Sequence, residues 1–219
     1  MERVLEPEVM DTVEEADAYE AMDHSAPNAA FLARLEELGA SGRMLDIGTG
    51  PGHLPVMVCE ANLSAEVVGI DLAKKMLVHA EKHKEESFAC ERIQLLVMDA
   101  KDLEFDDDSF DVVFSNTILH HIPDPIPFLR ESFRVLKPDG VLLIRDLFRP
   151  PSSAAVAQLV SLHAESESEY AKELFRASLC AAFTPQELKR LVAEVGMTNA
   201  EVVIDTDRHM SLQIPAKVY

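Results

Sequence analysis

Short apolar runs alternate with helical stretches through the middle of the chain, and this alternation constrains the fold more than any other feature. There are five such runs, RMLDIG at 43–48, AEVVGID at 65–71, IQLLVMD at 93–99, FDVVFSN at 110–116 and GVLLIRD at 140–146. Each is almost continuously apolar, as expected of parallel strands that are buried on both faces. Helices are predicted between them at 53–62, 73–88 and 124–137. Strand, helix and strand at this spacing predict βαβ units and a doubly wound α/β sheet.

The two ends of the chain differ from this central pattern. Before the first run, apolar residues at three-to-four spacing predict a helix over 26–38, within an N-terminal helical segment at 1–40. After the fifth run, helices are predicted at 154–166, 168–181 and 185–195, so that 147–185 forms a helical insertion. Two last runs, near 200–206 and 209–218, have no crossover helix between them and predict an antiparallel edge hairpin. We therefore expect a single domain over 1–219, built on a mostly parallel seven-stranded sheet.

The chain is strongly acidic, with 20 Lys and Arg against 39 Asp and Glu and a formal net charge of −19. A body with this charge repels a phosphate backbone, so the composition argues against a nucleic-acid partner. No apolar run approaches the ~20 residues that span a bilayer, and the acidic start lacks the features of a secretory signal. Cys59, Cys90 and Cys180 are scattered, which favours free thiols in a reducing cytoplasm over disulfides. We expect a soluble cytoplasmic protein without a membrane span.

The strongest local signal is LDIGTGPGH, in which a strand ends at Asp46 and a glycine-rich loop leads into a helix. Gly48, Gly50 and Gly52 let the backbone turn tightly and approach a ligand, and the helix N-terminus adds free N–H groups. Taken alone, such a loop binds phosphate, a nucleoside or no ligand. The third glycine comes one residue too early for the G-x-G-x-x-G dinucleotide fingerprint, since His53 stands at that position. The P-loop lysine is also absent, so the pattern disfavours both of these phosphate sites.

Two further carboxylates stand at the ends of the next two strands. Asp71 ends the second run, nineteen residues after Gly52, where a carboxylate can accept hydrogen bonds from both hydroxyls of a ribose. Asp99 ends the third run, and Asp102 is a competing acid close behind it. Asp46, Asp71 and Asp99 are equally suited to capping the helix or turn that follows each strand. The residues therefore predict an acidic crevice at the strand ends and leave its ligand open.

Taken together, these motifs resemble a known family. The segments DIGTGPG, GID and MDA are similar to those of class I S-adenosylmethionine-dependent methyltransferases, and FDVV at 110–113 and LKPDG at 136–140 add two more motifs of that family. The resemblance runs from about residue 42 to 145 and is closest to the small-molecule branch, which includes quinone-ring C-methyltransferases. It implies the Rossmann-like methyltransferase fold and S-adenosyl-L-methionine as cofactor, with S-adenosyl-L-homocysteine as product.

The resemblance also implies roles at the cofactor site. Asp46 would help to hold the ammonium group of the methionine part, and Asp71 would take the ribose hydroxyls. Asp99 and the N–H of Ala100 would contact adenine. With Leu72 and Met76 on the purine face and Asn116 beside the transferred methyl, the implied set is Asp46, Gly48, Gly50, Gly52, Asp71, Leu72, Met76, Asp99, Ala100 and Asn116. The cofactor is a zwitterionic sulfonium without phosphate, so carboxylates and backbone carbonyls suit it better than Lys or Arg.

His120, His121 and Asp146 are the candidates for acid–base catalysis. The two histidines follow the fourth strand in SNTILHHIPDP, where the resembled branch often carries a histidine pair near cofactor and substrate. Neutral histidine can serve as a base, a packing residue or a metal ligand. Adjacent side chains diverge and no further ligands stand at metal-binding spacing, so we predict no metal site. Contact with the cofactor, packing and general-base catalysis stay open for the pair.

The candidates for contact with the methyl acceptor are Tyr19, His24, Arg145 and Arg149. The two arginines lie at the end of the fifth strand, where they could meet an anionic group of the acceptor. The alternative is an internal salt bridge with Asp146 or with an N-terminal acid. Tyr19 and His24 lie in the N-terminal segment, which in relatives of this fold can close over the cofactor as a lid. Weaker candidates from the insertion and the terminal hairpin are His163, Arg176, Arg208 and His209.

The predicted function is methyl transfer to a small molecule by in-line displacement at the sulfonium. Two alternatives stay open: a non-catalytic module that binds the cofactor as a sensor or regulator, and another transfer on the same fold, such as aminopropyl transfer. DNA methylation on an exocyclic amine is disfavoured, because the chain has Ser115-Asn116-Thr117-Ile118 where those enzymes carry an Asn/Asp/Ser-Pro-Pro-aromatic tetrad.

Overall fold

The computed structural model describes residues 1–9 and 11–217. Within these residues the chain forms seven strands, β1 (Arg43–Ile47), β2 (Glu66–Asp71), β3 (Ile93–Val97), β4 (Phe110–Asn116), β5 (Leu136–Leu147), β6 (Glu201–Ile204) and β7 (His209–Ile214). The same described ranges contain eight α-helices, α1 (Val13–Glu20), α2 (Ser25–Glu37), α3 (His53–Ala61), α4 (Lys74–Glu86), α5 (Pro125–Arg134), α6 (Ser153–His163), α7 (Glu169–Ala181) and α8 (Pro185–Glu194). The predicted α/β class is confirmed.

All of these strands join one sheet in the order β3-β2-β1-β4-β5-β7-β6. Strands β1 to β5 pair in parallel, and β1 has β2 on one side and β4 on the other. The chain order therefore reverses between β1 and β4, which is where doubly wound sheets bind ligands outside the strand carboxyl ends. Strand β7 runs antiparallel to both β5 and β6, which confirms the predicted edge hairpin.

Several element boundaries differ from the predictions: α6 ends at His163 rather than 166, α4 ends at Glu86 rather than 88, and β6 covers Glu201–Ile204 rather than 200–206. Strand β5 begins at Leu136 rather than 140 because Leu136 already pairs with Phe110, and α5 accordingly ends at Arg134 instead of 137. Strand β3 ends at Val97, before the acid that was expected to terminate it. Strand β7 ends at Ile214, and the predicted end of that strand at 218 lies outside the described residues. None of these shifts changes the order of the sheet.

Apolar side chains cover both faces of the sheet. On one face the core includes Phe110 and Val113 of β4 with Phe128 of α5. On the other, Phe114 of β4 packs with Phe31 of α2. Neighbouring residues of β4 thus enter opposite clusters, as the two-residue period of a strand requires. None of the helices in the described part of the chain is both long and apolar enough to cross a membrane.

The N-terminal part of the chain lies against the carboxyl ends of the strands. We call residues 1–9 the N-terminal strap. Arg3 anchors it by donating hydrogen bonds to the carbonyl oxygens of Ala181, Pro123, His120 and Ile122. Helix α1 follows, with a capping box formed by Thr12 and Glu15 at its start. Its one buried residue, Ala16, packs on Ala73 and Met76 beside and within α4.

We expect Phe31→Ala to lower the free energy of unfolding by about 3 to 5 kcal/mol, because a fully buried aromatic side chain would leave a cavity between α2 and the sheet. Urea denaturation measures this change. Leu63→Ala is the control, since Leu63 is 74% exposed and such a site changes stability by less than about 0.5 kcal/mol. A loss below about 1 kcal/mol for Phe31→Ala would show that α2 is not part of the core.

Candidate active site

Two adjoining cavities open at the carboxyl ends of the central strands. The β2-side cavity lies beside the loops that follow β2, β3 and β4, and under the strap residues Glu8 and Val9. The β5-side cavity lies beside the end of β5, α1, α2 and the helical insertion. Five residues line both cavities and so mark their junction, namely Tyr19, Gly48, Gly50, Asn116 and Thr117.

Most residues of the predicted cofactor set lie on these cavities. The β2-side cavity is lined by Gly48, Gly50, Asp71, Leu72, Met76, Asp99, Ala100 and Asn116. Asp46 lies on the β5-side cavity. Gly52 lines neither, and its conformation has another reason: it is left-handed (φ 81°) at the N-cap of α3, and a Cβ there would lie 2.8 Å from the Cβ of Ala80. The structure thus gives Gly52 a packing role against α4.

Asp46 is a buried carboxylate with one free oxygen. Its side chain is 1% exposed, and its Oδ2 accepts a 2.7 Å hydrogen bond from the Thr49 hydroxyl. Its Oδ1 is buried and has no hydrogen-bond partner. Burial raises the pKa of Asp46 to about 7, although the Thr49 hydroxyl opposes the shift. An uncompensated carboxylate of this kind is stabilised by a cation placed beside it.

Asp71 is fixed by the backbone of the glycine loop. Its Oδ2 accepts a 2.8 Å hydrogen bond from the N–H of Gly50, and its Oδ1 accepts one of 2.8 Å from the N–H of Ala73. Burial nevertheless raises the pKa of the carboxyl, because desolvation outweighs these donors. Each carboxylate oxygen can accept a second hydrogen bond. Asp71 is therefore held rigidly at the cavity with acceptor capacity left over.

Of the two acids after β3, Asp99 is the better candidate for the site because of its position. Asp99 lines the β2-side cavity, whereas Asp102 does not. The Asp99 Oδ1 accepts a hydrogen bond from the N–H of Lys101 and lies 3.1 Å from its ammonium group. Lys101 also pairs with Glu8, which connects this side of the cavity to the strap. Asp99 therefore caps a turn and lines the cavity at once.

The three acid–base candidates lie together, but only His121 lines a cavity. His120 Nδ1 lies 2.6 Å from Asp146 Oδ1, and the His120 backbone N–H donates to Asp146 Oδ2. Both side chains are buried, and neither lines one of the two cavities. His121 does line the β2-side cavity. The two histidines end the short 3-10 turn Leu119–His121, and their ring centroids lie 4.3 Å apart, so the expectation that these adjacent side chains diverge is wrong. Glu6 Oε1 of the strap lies 3.3 Å from His120 Nε2 and 3.4 Å from His121 Nδ1.

The pKa values of the two histidines shift in opposite directions. Burial lowers the pKa of His120, but the carboxylates of Asp146 and Glu6 outweigh it and the net shift is upward. Burial and the neighbouring His120 lower the pKa of His121 to about 4. His121 is therefore a neutral imidazole near neutral pH, while the carboxylate of Asp146 favours the protonated form of His120.

The two arginine candidates also differ. Arg149 is buried away from both cavities, where it pairs with Glu187 of α8 at 2.6 Å and donates to the carbonyl oxygen of Ala182. The structure therefore corrects its predicted contact with the acceptor: it forms an internal salt bridge, with an acid of α8 rather than with Asp146. Arg145 does line the β5-side cavity. Its Nε is buried without a hydrogen-bond partner and lies 3.8 Å from Asp205 Oδ2.

The N-terminal candidates lie over the junction of the cavities. Tyr19 lines both, and its ring stacks on His24, which lines the β5-side cavity. The His24 Nε2 lies 2.8 Å from the carbonyl oxygen of Tyr19. Three of the weaker candidates also line the β5-side cavity, namely His163, Arg208 and His209. Arg176 does not, and it pairs with Glu173 on α7.

Thr117 is a site residue that the sequence analysis missed. It follows β4 with a φ of 61°, which is uncommon for a β-branched residue, and its N–H donates to the carbonyl oxygen of Arg145. Strained backbone of this kind often marks a ligand site. No pattern in the sequence indicates it. Thr49, which holds Asp46, was missed as well, although its place inside the glycine loop could have suggested a contact.

Residues 38–196 match the family described as methyltransferase domain. The chain belongs to this family. The matched region contains β1 to β5 and α3 to α8, and so both walls of the junction between the cavities, whereas α1 and the strap precede it. The methyltransferase family identified from the sequence motifs is thereby confirmed.

Relatives within this methyltransferase family are similar along most of the chain. A 27-O-demethylrifamycin SV methyltransferase of Amycolatopsis mediterranei is 31% identical over 166 residues, which are 76% of this chain and 57% of the relative. A demethylmenaquinone methyltransferase of Staphylococcus aureus is 31% identical over 173 residues, covering 73% of this chain and 69% of the relative.

A solved structure shows the same fold. The phosphoethanolamine N-methyltransferase 2 of Haemonchus contortus, in complex with phosphomonomethylethanolamine and S-adenosylhomocysteine, is 28% identical with a TM-score of 0.66. The match covers 87% of this chain and 43% of that one. The chain therefore spans about half the length of the Haemonchus protein and of the rifamycin relative.

We expect the charge of Asp46 to destabilise the protein without ligand as the pH rises. Its pKa is raised from an ordinary 3.8 to about 7, so the folded chain binds the proton more tightly than the unfolded chain does. The free energy of unfolding should therefore fall, relative to that of Asp46→Asn, by about 2 kcal/mol between pH 5 and pH 8.

Urea denaturation of both proteins at the two pH values measures this difference. Asp102→Asn, at an acid outside both cavities, is the matched control and should follow the wild type. Parallel pH profiles for the wild type and Asp46→Asn would contradict the account of a buried, uncompensated carboxylate.

Proposed function

We propose that the chain is an S-adenosyl-L-methionine-dependent methyltransferase that acts on a small molecule and releases S-adenosyl-L-homocysteine. The observation that carries the proposal is the free, buried Oδ1 of Asp46 beside the glycine loop. An orphaned carboxylate at the end of β1 requires a cationic partner, and the ammonium group of the methionine part supplies one. The matching Haemonchus structure, which holds S-adenosylhomocysteine, supports the same choice of cofactor.

The chemistry of the donors fits the rest of the cofactor. Asp71 has acceptor capacity for ribose hydroxyls, and Leu72 and Met76 offer apolar surface to a purine on the same cavity. Asp99 and Ala100 stand where the adenine edge would lie. Gly50 leaves open space, since a Cβ there would meet nothing within 4 Å. In this assignment the β2-side cavity takes the adenosine part and the β5-side cavity takes the methionine part.

The residues at the junction of the cavities do the orienting. The bound cofactor supplies an electrophilic methyl group, and Tyr19, Asn116 and Thr117 surround the place where both cavities meet. Holding two reactants in line and excluding water accounts for most of the acceleration in such a displacement. The strap and α1 cover this junction as a lid. We assign His120 and Asp146 to positioning the loop after β4, and the neutral His121 to the wall of the β2-side cavity.

The β5-side cavity also indicates the character of the acceptor. Arg145 and Arg208 line it, and they contribute, after burial, to lowering the pKa of His209 to about 3. The acidic residues that line the same cavity lie on different parts of the chain from the two arginines, namely Asp23, Asp46 and Glu167. We infer that the acceptor carries an anionic group that pairs with Arg145, whose Nε has no hydrogen-bond partner. The helices of the insertion at 147–185 form the outer wall.

The net charge bears on the class of acceptor, and the cysteines bear on where the protein is located. A net charge of −19 favours a small molecule over a nucleic acid as the acceptor. Cys59, Cys90 and Cys180 are unpaired, which supports a cytoplasmic location.

We expect Asp71→Asn to weaken the binding of S-adenosyl-L-homocysteine by about 10- to 100-fold, because hydrogen bonds to a charged acceptor contribute about 1.5 to 3 kcal/mol. Isothermal titration calorimetry measures the dissociation constant. Asp102→Asn is the matched control and should bind as the wild type does. Equal affinity of Asp71→Asn and wild type would remove the ribose role, and no binding by the wild type at millimolar ligand would overturn the cofactor assignment.

We expect the purified chain to transfer label from methyl-labelled cofactor to an acceptor in the anion-exchange-retained fraction of a metabolite extract. Arg145→Gln should raise the KM for that acceptor by about 10- to 100-fold, from the loss of a charge-assisted hydrogen bond. Arg176→Gln, outside both cavities, is the control. Activity confined to the unretained fraction would refute the anionic acceptor. Cofactor binding without any S-adenosyl-L-homocysteine release above the no-protein level would favour a sensor.

A further inference from the structure

Three metal-ligating side chains meet beside the proposed cofactor site, and one of them, His53, also lines the β5-side cavity. Glu20 is the last residue of α1, His53 is the first residue of α3, and His83 lies in the last turn of α4. His53 Nε2 lies 3.1 Å from Glu20 Oε2, and His83 Nε2 lies 3.0 Å from Glu20 Oε1. One ligand atom from each lies within 4.8 Å of those of the other two. Three separate helices thus converge on one point.

The spacing of these atoms suits a single ion. Zinc binds imidazole nitrogen and carboxylate oxygen at about 2.0 to 2.2 Å, so the ligand atoms around one tetrahedral ion lie about 3 to 3.5 Å apart. The two nitrogen–oxygen distances, 3.1 and 3.0 Å, go to different oxygens of Glu20, so each imidazole faces one oxygen of the same carboxylate. The imidazole rings are tilted against each other with centroids 4.5 Å apart, so neither ring blocks the other's approach.

The contacts around the cluster direct the Nε2 atoms of both histidines at the Glu20 carboxylate. His83 Nδ1 lies 2.8 Å from the carbonyl oxygen of Pro51, which can only accept, so this nitrogen carries the proton. Glu20 Oε2 is buried and accepts no hydrogen bond, although His53 Nε2 is near it. Backbone hydrogen bonds of this kind to the outer nitrogen are typical of metal-binding histidines.

The surroundings of the cluster favour a cation. All three side chains line a further cavity on the outer side of the glycine loop. The described residues around this cavity include three more acids, Asp23, Glu60 and Glu86, and no Lys or Arg. A cleft lined by one sign of charge concentrates the opposite ion. The cavity also leaves room for water as an additional ligand.

We propose that Glu20, His53 and His83 bind a divalent transition-metal ion, with zinc as the best match to two imidazoles and one carboxylate. Two nitrogen ligands disfavour magnesium and calcium, which prefer oxygen. The site departs from the expectation of no metal, because its residues are far apart in the sequence. Glu20 precedes the region 38–196 that matches the methyltransferase family.

The ion would hold the lid in place. Glu20 follows Tyr19, which lines both cavities, and His53 follows the glycine loop directly. Helix α1 otherwise buries a single residue, Ala16, so its own packing is weak. A metal bridge from α1 to α3 and α4 therefore fixes Tyr19 over the junction of the cavities. Metal binding can be measured without the cofactor, so the failure of this proposal is distinguishable from the failure of the proposed methyl transfer.

A zinc titration of the chelator-treated, tag-free chain tests the proposal, with a chromogenic chelator as competitor. We expect one ion per chain, and we expect His83→Ala and Glu20→Gln to weaken binding by at least about tenfold, the loss typical of removing even an outer partner of a metal site. His79→Ala is the matched control: His79 lies on the same helix and pairs with Asp17 of α1 at 2.9 Å, but is not part of the cluster. It should bind zinc as the wild type does.

Two further measurements keep the outcome decisive. Cobalt substituted for zinc should give visible absorption bands in the wild type that are lost in His83→Ala. Thermal unfolding in the presence of chelator shows that the variants His83→Ala and Glu20→Gln fold. Absence of binding, or equal binding by wild type, His83→Ala and Glu20→Gln, would overturn the proposal. So would a loss confined to His120→Ala, which would place the ion on the other cluster, Glu6, His120 and His121.

Discussion

The site depends on a carboxylate that the sheet carries into the protein interior. Asp46 lies in β1 between Gly69 of β2 and Phe114 of β4, at the point where the strand order reverses. Only the Thr49 hydroxyl contacts it, so the protein bears the cost of a poorly solvated acid at this position. Such a cost is retained where a ligand offsets it. The two cavities meet beside this carboxylate, so that one bound molecule can place one end in each cavity.

Hydrogen bonds from the loops after β1 and β4 hold the shape of the cleft around Asp46. The loop after β1 directs the N–H of Gly50 onto Asp71, so that the ends of two neighbouring strands are joined through one hydrogen bond. The strained Thr117 closes the opposite side and bonds back to β5. Both contacts have a backbone N–H as donor, and their acceptors are the Asp71 carboxylate and the carbonyl oxygen of Arg145. A rigid frame of this kind suits a reaction that is accelerated by alignment.

Sequence reasoning reached the parts of the molecule that obey short-range rules. The apolar strands, the glycine loop and the acids at strand ends all follow from local patterns, and the structure places Asp46, Asp71 and Asp99 on one cleft. It failed where the outcome depends on contacts between distant residues. His120 and His121 are neighbours, yet a single short turn sends one to Asp146 and the other to a cavity. The partner of Arg149 is Glu187 on a helix that no local pattern connects to it.

The described part of the chain ahead of α2 was the least predictable because it is polar and buries little. Its position follows from specific pairings, such as those of Arg3 with backbone carbonyls and of Glu20 with two histidines, rather than from an apolar face. Pairings of this kind leave no periodic signal in a sequence. The segment nevertheless covers both cavities, so the elements that shape access to the site are the ones that sequence patterns describe least.

A crystal structure of the chain with S-adenosyl-L-homocysteine tests the central claim most directly. The account predicts the ligand's ammonium group within hydrogen-bonding distance of Asp46 Oδ1, its ribose hydroxyls on Asp71, and its sulfur at the junction marked by Tyr19 and Asn116. A ligand bound elsewhere, or bound with its ammonium group away from Asp46, would contradict it.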